Sequence, residues 1–296
     1  LRTFRQALQE RLFTVTAEFS FQSETSVDEV LHQAEMLSGA VDGFQVAENP
    51  QAYMQTSVVA LAALLKQRGL DPVPQLSCRD RNRIALQSDL LGLRALGITS
   101  VLLNKGGRLP VEDETVAAPV FDLNARELVA MAQELNDEAE NLSSELLIGT
   151  DATVCAPGPR WSPDPLLGRA AAGARFLQTQ PCFNLKMLRK YMRRLVEEKV
   201  TWQFAMIVTL APLPSAETAA WLQDNIRGAL IPPALVERLQ HADDPEQEGI
   251  DICAELIREI VAIPGISGIN LLTLGNPPAV RAAIEAAGLR TWEEST

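Results

Sequence analysis

The sequence predicts an α/β fold: a single (β/α)8 TIM barrel with an N-terminal helix, occupying residues 1–296 as one domain. Three observations predict it. Short β-rich runs alternate with helical periods through the whole chain, giving roughly eight β-α units. The β-rich runs are continuously apolar rather than alternating, as strands buried on both faces of a parallel sheet must be. Roughly eight such units in a chain of this length suit a barrel. The alternative is an open doubly wound sheet, and no G-x-G-x-x-G follows the first strand to support it. Neither an internal repeat nor a low-complexity linker breaks the pattern.

Taken in order, LRTFRQALQERLF reads as an amphipathic helix and FTVTAEFS (13–20) as the first strand. SVDEVLHQAEMLSG follows as a helix, with Ser26 as N-cap, Glu29 three residues on and Gly39 as its stop. VDGFQVAE is a strand, YMQTSVVALAALLKQRG a helix and PVPQLSC the third strand. Residues 81–96 form a helix with Ile84, Leu86, Leu90, Leu91, Leu93 and Leu96 as its apolar positions, and SVLLNKG is the fourth strand. Next come a polar loop, the helix at 125–136, the strand ELLIGTDA (145–152) and a helix from Pro163 to Gly173. ARFLQTQ (174–180) is strand-like, 184–198 helical and WQFAMIVTL (202–210) the seventh strand. A helical block over 215–263 is broken at Pro232-Pro233 and at the acidic DDPEQEG. GINLLTLGN (268–276) is the eighth strand and AVRAAIEAAG (279–288) the closing helix.

Composition narrows the function. A net charge of −12 and a pI near 4.8 would repel a polyanion, so nucleic acid is not an expected partner. Mean hydropathy is +0.02, and no run of about 18 apolar residues marks a membrane span. The four cysteines lie far apart without a C-x-x-C pair, which reads as free thiols in a reducing cytoplasm. With only two histidines, neither a histidine-rich metal site nor a Ser-His-Asp triad is expected. The start is not a leader peptide, and the absence of an initiator Met points to a trimmed start. Apolar helix positions left exposed would permit a homo-oligomer.

In a barrel the chemistry sits at the carboxyl ends of the strands. Nearly every unit delivers polar side chains there: Glu18; Gln45, Glu48 and Asn49; Gln75, Ser77, Cys78, Arg79 and Asp80; Asn104, Lys105, Gly106 and Gly107; Thr150 and Asp151; Gln178, Thr179 and Gln180; Thr209; Thr273 and Asn276. Glu18 stands between apolar residues. A carboxyl aimed into a partly dry cavity has its pKa raised and suits a general acid, whereas one paired with a nearby cation is structural. The arginines of CRDRNR either grip an anion or are solvated around a helix cap at Ser77 or Asp80. Lys105-Gly106-Gly107 lets backbone approach a bulky ligand, or is a tight loop. Gln178 and Gln180 are read as alternating, so that one faces inward, and Gln180 can donate and accept toward a heterocycle edge. APGPRWSP (156–163) covers a planar ligand or is a plain connection.

Together these residues resemble the methylenetetrahydrofolate reductase family. The likeness is strongest over LSCRDRNRIALQSDLLGLRALGITSVLLNKG, with TAEFSF, AGARFLQTQPCFN and GINLLTLGN matching in order and spacing. The resemblance implies a TIM barrel that reduces 5,10-methylenetetrahydrofolate to 5-methyltetrahydrofolate, with NADH or NADPH as electron partner and usually a bound FAD between them. It implies Glu18 as the general acid that helps open the imidazolidine ring. Gln180 and Asn276 become folate contacts. Gln75, Cys78, Arg79, Asp80, Asn104, Lys105, Gly106 and Arg169 become the cofactor rim, with no metal. The family typically carries Gly-Asp after strand four, whereas Gly107 stands in the acid's place here. That departure leaves two further readings: a flavin-free enzyme passing hydride directly from the nicotinamide, and a folate-binding barrel or partner subunit without turnover. A methyltransferase domain lacks any cobalamin motif or zinc-thiolate cluster in its support.

Overall fold

Eight parallel strands pair in sequence order and close on themselves, β1 with β8. They are β1 (Thr14–Phe19), β2 (Gly43–Val46), β3 (Pro72–Ser77), β4 (Ser100–Asn104), β5 (Leu147–Ala152), β6 (Phe176–Thr179), β7 (Ala205–Leu210) and β8 (Ile266–Leu272). This computed structural model describes residues 2–19, 26–49, 55–107, 117–138, 145–226 and 228–290. The expected strand end at Ser20, the expected helix start at Tyr53 and Met54, and residues 108–116 of the polar loop lie outside them. The helices are α1 (Phe4–Gln9), α2 (Val27–Met36), α3 (Val58–Gln67), α4 (Arg83–Ala95), α5 (Ala125–Asp137), α6 (Asp164–Ala171), α7 (Leu185–Glu197), α8 (Ala216–Asn225), α9 (Pro233–His241), α10 (Pro245–Val261) and α11 (Pro277–Ala286). No helix among the described residues is long and apolar enough to cross a membrane.

The continuous apolar strands resolve into two environments. Outward residues such as Val15, Ala17, Val46, Leu76, Val101, Leu103, Val208 and Leu271 pack beneath the helices in the main core. A separate small cluster of Phe4, Val73, Leu102, Phe176 and Ile207 fills the barrel floor. Phe4 belongs to α1, so the N-terminal helix acts as a plug. Its ring meets Phe176 edge-on at 5.1 Å, and its backbone N–H donates to Asp71 Oδ2 at 2.9 Å. Gly149 leaves room for this layer, because a Cβ there would lie 2.0 Å from the Phe176 ring.

Local signals set the helix ends. Ser26 caps α2 by accepting from Glu29 N–H, as expected. The cap of α4 is Asn82, whose Oδ1 accepts from Ala85 N–H at 3.0 Å, and not Ser77 or Asp80. The helical block breaks at the acidic run as expected, between His241 and Pro245, and Asp244 of that run caps α10 with Pro245 in its first turn. On α4, Leu86, Leu90 and Leu93 are buried, while Ile84 is 74% exposed and Leu91 48%.

Candidate active site at the barrel mouth

Above the apolar floor the barrel interior turns polar. β2 and β6 are not neighbours in the sheet, yet the side-chain amides of Gln45 and Gln178 hydrogen-bond reciprocally. They can meet only across the interior. Gln75 Nε2 donates to Gln45 Oε1 at 3.1 Å, extending the network to β3. On the other side Thr16 Oγ1 donates to Asn270 Oδ1 at 2.8 Å, and Asn270 Nδ2 donates to Glu18 Oε2 at 2.7 Å. Gln178 Nε2 reaches the same carboxylate oxygen at 3.5 Å.

Glu18 is therefore an inward-facing, half-buried carboxyl at the end of β1, surrounded by amides. Burial pushes it above its ordinary carboxylate value, and the hydrogen bonds from Asn270 and Gln75 only partly oppose this. Among the described residues no cation is among its partners. A carboxyl so placed holds a proton more readily than one in water, as donation to a bound ligand requires.

Gln178 and Gln180 share a face, contrary to the alternation expected from sequence. Residues two apart on a strand point the same way. Gln178 lies in the amide layer, and Gln180 sits one step nearer the mouth, where its side chain hydrogen-bonds to Asp151. Asp151, at the end of β5, is raised by burial and pulled back by Arg169 and Gln180. Glu18 and Gln180 thus occupy the same end of the barrel.

The rim charges are largely engaged with one another. Arg79, 4% exposed, holds Asp80 through two bonds of 2.6 and 2.8 Å and also donates to the Asn49 carbonyl at 2.9 Å. Burial raises the Asp80 carboxyl, but the Arg79 and Asn49 hydrogen bonds together outweigh it and hold the group below its ordinary value. Arg81 pairs with Glu48 and Asp89, and Glu48 accepts the Ser77 N–H at 2.6 Å. Arg79 and Arg81 are thus neither solvated caps nor an open anion grip, whereas Arg83 opens α4 with its side chain exposed and its backbone N–H on Asp122 Oδ2. Arg169 Nη1 donates to the Asp151 carbonyl at 2.7 Å and to Thr150 Oγ1 at 3.1 Å. Lys105 Nζ lies 5.5 Å from the Phe121 ring centroid. Gly106, at φ +81°, packs where a Cβ would stand 2.7 Å from Arg79 Cβ, while none of the described residues crowds Gly107.

Other expected residues are placed differently. The Cys78 side chain packs in the outer core and its thiol is pushed up to about 11 by burial. Asn276 caps α11 through Ala279 N–H and donates to Glu246 at 2.6 Å. Trp161, in the Pro/Gly loop, turns onto α7, edge-on to Tyr191 and beneath Arg194. Ser77 Oγ, Asn104 Oδ1 and Thr209 Oγ1 are buried at the mouth without a hydrogen-bond partner among the described residues, as polar atoms awaiting a ligand would be. The sequence reading missed Asn270 and Thr16. An Asn inside the apolar run GINLL was the available signal.

Comparisons agree with this architecture. The family model described as methylenetetrahydrofolate reductase matches residues 3–288. A probable methylenetetrahydrofolate reductase (NADPH) of Caenorhabditis elegans is 23% identical over 248 residues, covering 77% of this chain and 34% of that protein. The chain thus spans about a third of that curated relative's length. Among solved structures, 2,3-dimethylmalate lyase, a PEP mutase/isocitrate lyase superfamily member, is similar in two crystal forms. The triclinic form has a TM-score of 0.51 at 12% identity, covering 99% of this chain and 89% of that one. The trigonal form has 0.50 at 10%, covering 96% and 82%. That likeness concerns the fold alone.

Proposed function

Because the chain belongs to the methylenetetrahydrofolate reductase family, we propose that it interconverts 5,10-methylenetetrahydrofolate and 5-methyltetrahydrofolate, with a nicotinamide as electron partner. The observation that carries this reading is Glu18: an inward carboxyl at the mouth, raised by burial, whose partners among the described residues are neutral side-chain amides. Glu18 O–H gives its proton to N10 of the folate as the bond from N10 to the bridging carbon breaks. The bridging carbon is left as an iminium on N5. Hydride from the dihydronicotinamide adds to that carbon, giving the methyl group and the oxidised nicotinamide, and solvent returns a proton to Glu18. Gln180 and the Ser77, Asn104 and Thr209 oxygens, unpartnered among the described residues, supply donors and acceptors for the pterin.

The family's usual flavin is a dinucleotide, and a resident diphosphate needs unengaged cations. Among the described residues Arg79 and Arg169 already hold protein acceptors, and Lys105 lies against Phe121. The Asp80 and Asp151 carboxylates stand beside them, and Gly107 supplies no side chain. This donor set does not fit a tightly held FAD, so the steps above run without it. A nicotinamide that binds and leaves each turnover needs fewer fixed charges.

The test is oxidation of NADH or NADPH by the purified chain in the presence of methylenetetrahydrofolate. Glu18→Gln keeps the side-chain shape but has no proton to give, and turnover is expected to fall roughly 10²–10⁴-fold with an unchanged thermal melt. Undiminished turnover removes Glu18 from the mechanism. A yellow protein with flavin absorbance as isolated would overturn the flavin-free arm.

A further inference from the structure

We propose that Thr16 and Asn270 are positioning residues that fix which oxygen of Glu18 carries the transferable proton. The inference rests on the reading of Glu18 as the acid and deepens it. Thr16 and Asn270 are both fully buried and stand opposite each other in the β1–β8 register. Neither packs against apolar neighbours for want of a polar role, since each makes a side-chain hydrogen bond to the next group in a chain leading to Glu18.

The chain has a direction. An ionised carboxylate accepts and never donates, so the Asn270 atom 2.7 Å from Glu18 Oε2 is its N–H group. Asn270 Oδ1 then faces Thr16, whose hydroxyl donates to it at 2.8 Å. Thr16 thereby holds the Asn270 amide against a flip. The second donor is oriented in the same way, because the Gln178 oxygen is taken by Gln45 and its nitrogen is left for Gln45 and Glu18. The Asn270 and Gln178 N–H groups are directed at Oε2, where a proton would meet donor hydrogens, while Gln75, the third amide beside the carboxyl, has an N–H committed to Gln45 Oε1 at 3.1 Å. When Glu18 is protonated the hydrogen therefore sits on Oε1, and one fixed oxygen presents it to the ligand.

The charged groups on the adjoining strand ends are Glu48, Arg79, Asp80, Lys105 and Asp151. Among the described residues none of them hydrogen-bonds to or ion-pairs with Glu18. Its protonation is governed by burial and by the amides. Removing the Asn270 donor withdraws support from the carboxylate form, so the carboxyl keeps its proton to higher pH. An acid catalyst loses activity as pH rises through its titration, so that alkaline limb moves upward.

The experiment compares Asn270→Leu, Thr16→Val and Thr16→Ser in the full chain. In Asn270→Leu the alkaline limb of kcat is expected to move to higher pH. Its kcat at the optimum falls on the order of tenfold, with KM for the folate little changed. Thr16→Val gives a smaller change in the same direction and Thr16→Ser restores the parent profile. A ¹³C titration of the Glu18 carboxyl in the unliganded protein should move the same way. If Asn270→Leu does not fold, Thr16→Val against Thr16→Ser carries the test alone. If Glu18→Gln abolishes turnover but the limb and the carboxyl titration stay put in these variants, the positioning claim falls while the acid role stands. If Glu18→Gln leaves turnover intact, the functional reading itself has failed, and the carboxyl titration still reports whether Asn270 orients the group.

Discussion

Replacing Asp71 by Asn should stabilise this barrel at neutral pH and do little in acid. Asp71 precedes β3 at the barrel floor and is 8% exposed. Its Oδ2 accepts the Phe4 N–H at 2.9 Å, Oδ1 is buried, and the Thr99 hydroxyl lies against the carboxylate. Burial pushes its pKa up to about 6 from an ordinary 3.8, against the pull of the Phe4 N–H and the Lys66 charge. Because the folded value lies above the unfolded one, the native state favours the protonated form. Below the unfolded value both states are protonated and the group is neutral in effect. As pH rises through about 4 to 6 the buried carboxyl must ionise, and stability falls. At roughly 1.4 kcal/mol for each pH unit, the full cost above pH 6 is about 3 kcal/mol. Asn stays neutral, keeps an acceptor for Phe4 N–H and offers an N–H to the Thr99 hydroxyl beside it. That figure is already net of the attraction to Lys66, and any strain in seating the amide makes about 3 kcal/mol an upper bound. Denaturant unfolding between pH 4 and pH 8 measures the difference. The variant should match the parent near pH 4 and exceed it at pH 8. A variant weaker than the parent at pH 8 would mean that Lys66 satisfies the carboxylate, and the reasoning from burial would be wrong.

Gly149→Ala forces a Cβ to 2.0 Å from the Phe176 ring in the floor layer, so a loss of about 1–3 kcal/mol is expected in a thermal or denaturant melt. Asp80→Ala strands the buried Arg79 guanidinium with only the Asn49 carbonyl as a described acceptor, and about 3–5 kcal/mol of stability should go with it. An unchanged melt would show that Arg79 reaches solvent. Trp161→Ala removes the ring from Tyr191 and Arg194 at a cost of about 1–2 kcal/mol while leaving kcat and KM alone. A marked rise in KM would instead place the loop over the ligand.

Much of the mouth was legible strand by strand. Polar residues at the ends of apolar runs are a local signal, and Glu18, Gln180 and the 75–80 segment stand at the mouth end of their strands as read. What went astray depended on partners distant in sequence. Arg79, Arg81 and Asp80 look like free charges in a row of six letters. Arg79 and Asp80 hold each other, Asp89 reaches Arg81 from α4 just downstream, and only Glu48 and Asn49 come from another unit of the barrel; together these pairings change what the row can do. Cys78 was grouped with the rim because it follows Ser77, although one step along a strand turns a side chain to the opposite face.

The order and type of the elements were determined by the sequence itself, because continuous apolar runs, caps such as Ser26 and breaks at proline act on residues close together in the chain. Tertiary structure alone decided the chemistry of the interior. Glu18 meets an Asn 252 positions away, and Gln45 meets a Gln 133 positions away. Those encounters exist only once the barrel closes, since closure is what brings opposite strands within hydrogen-bonding distance and removes water from the carboxyl between them.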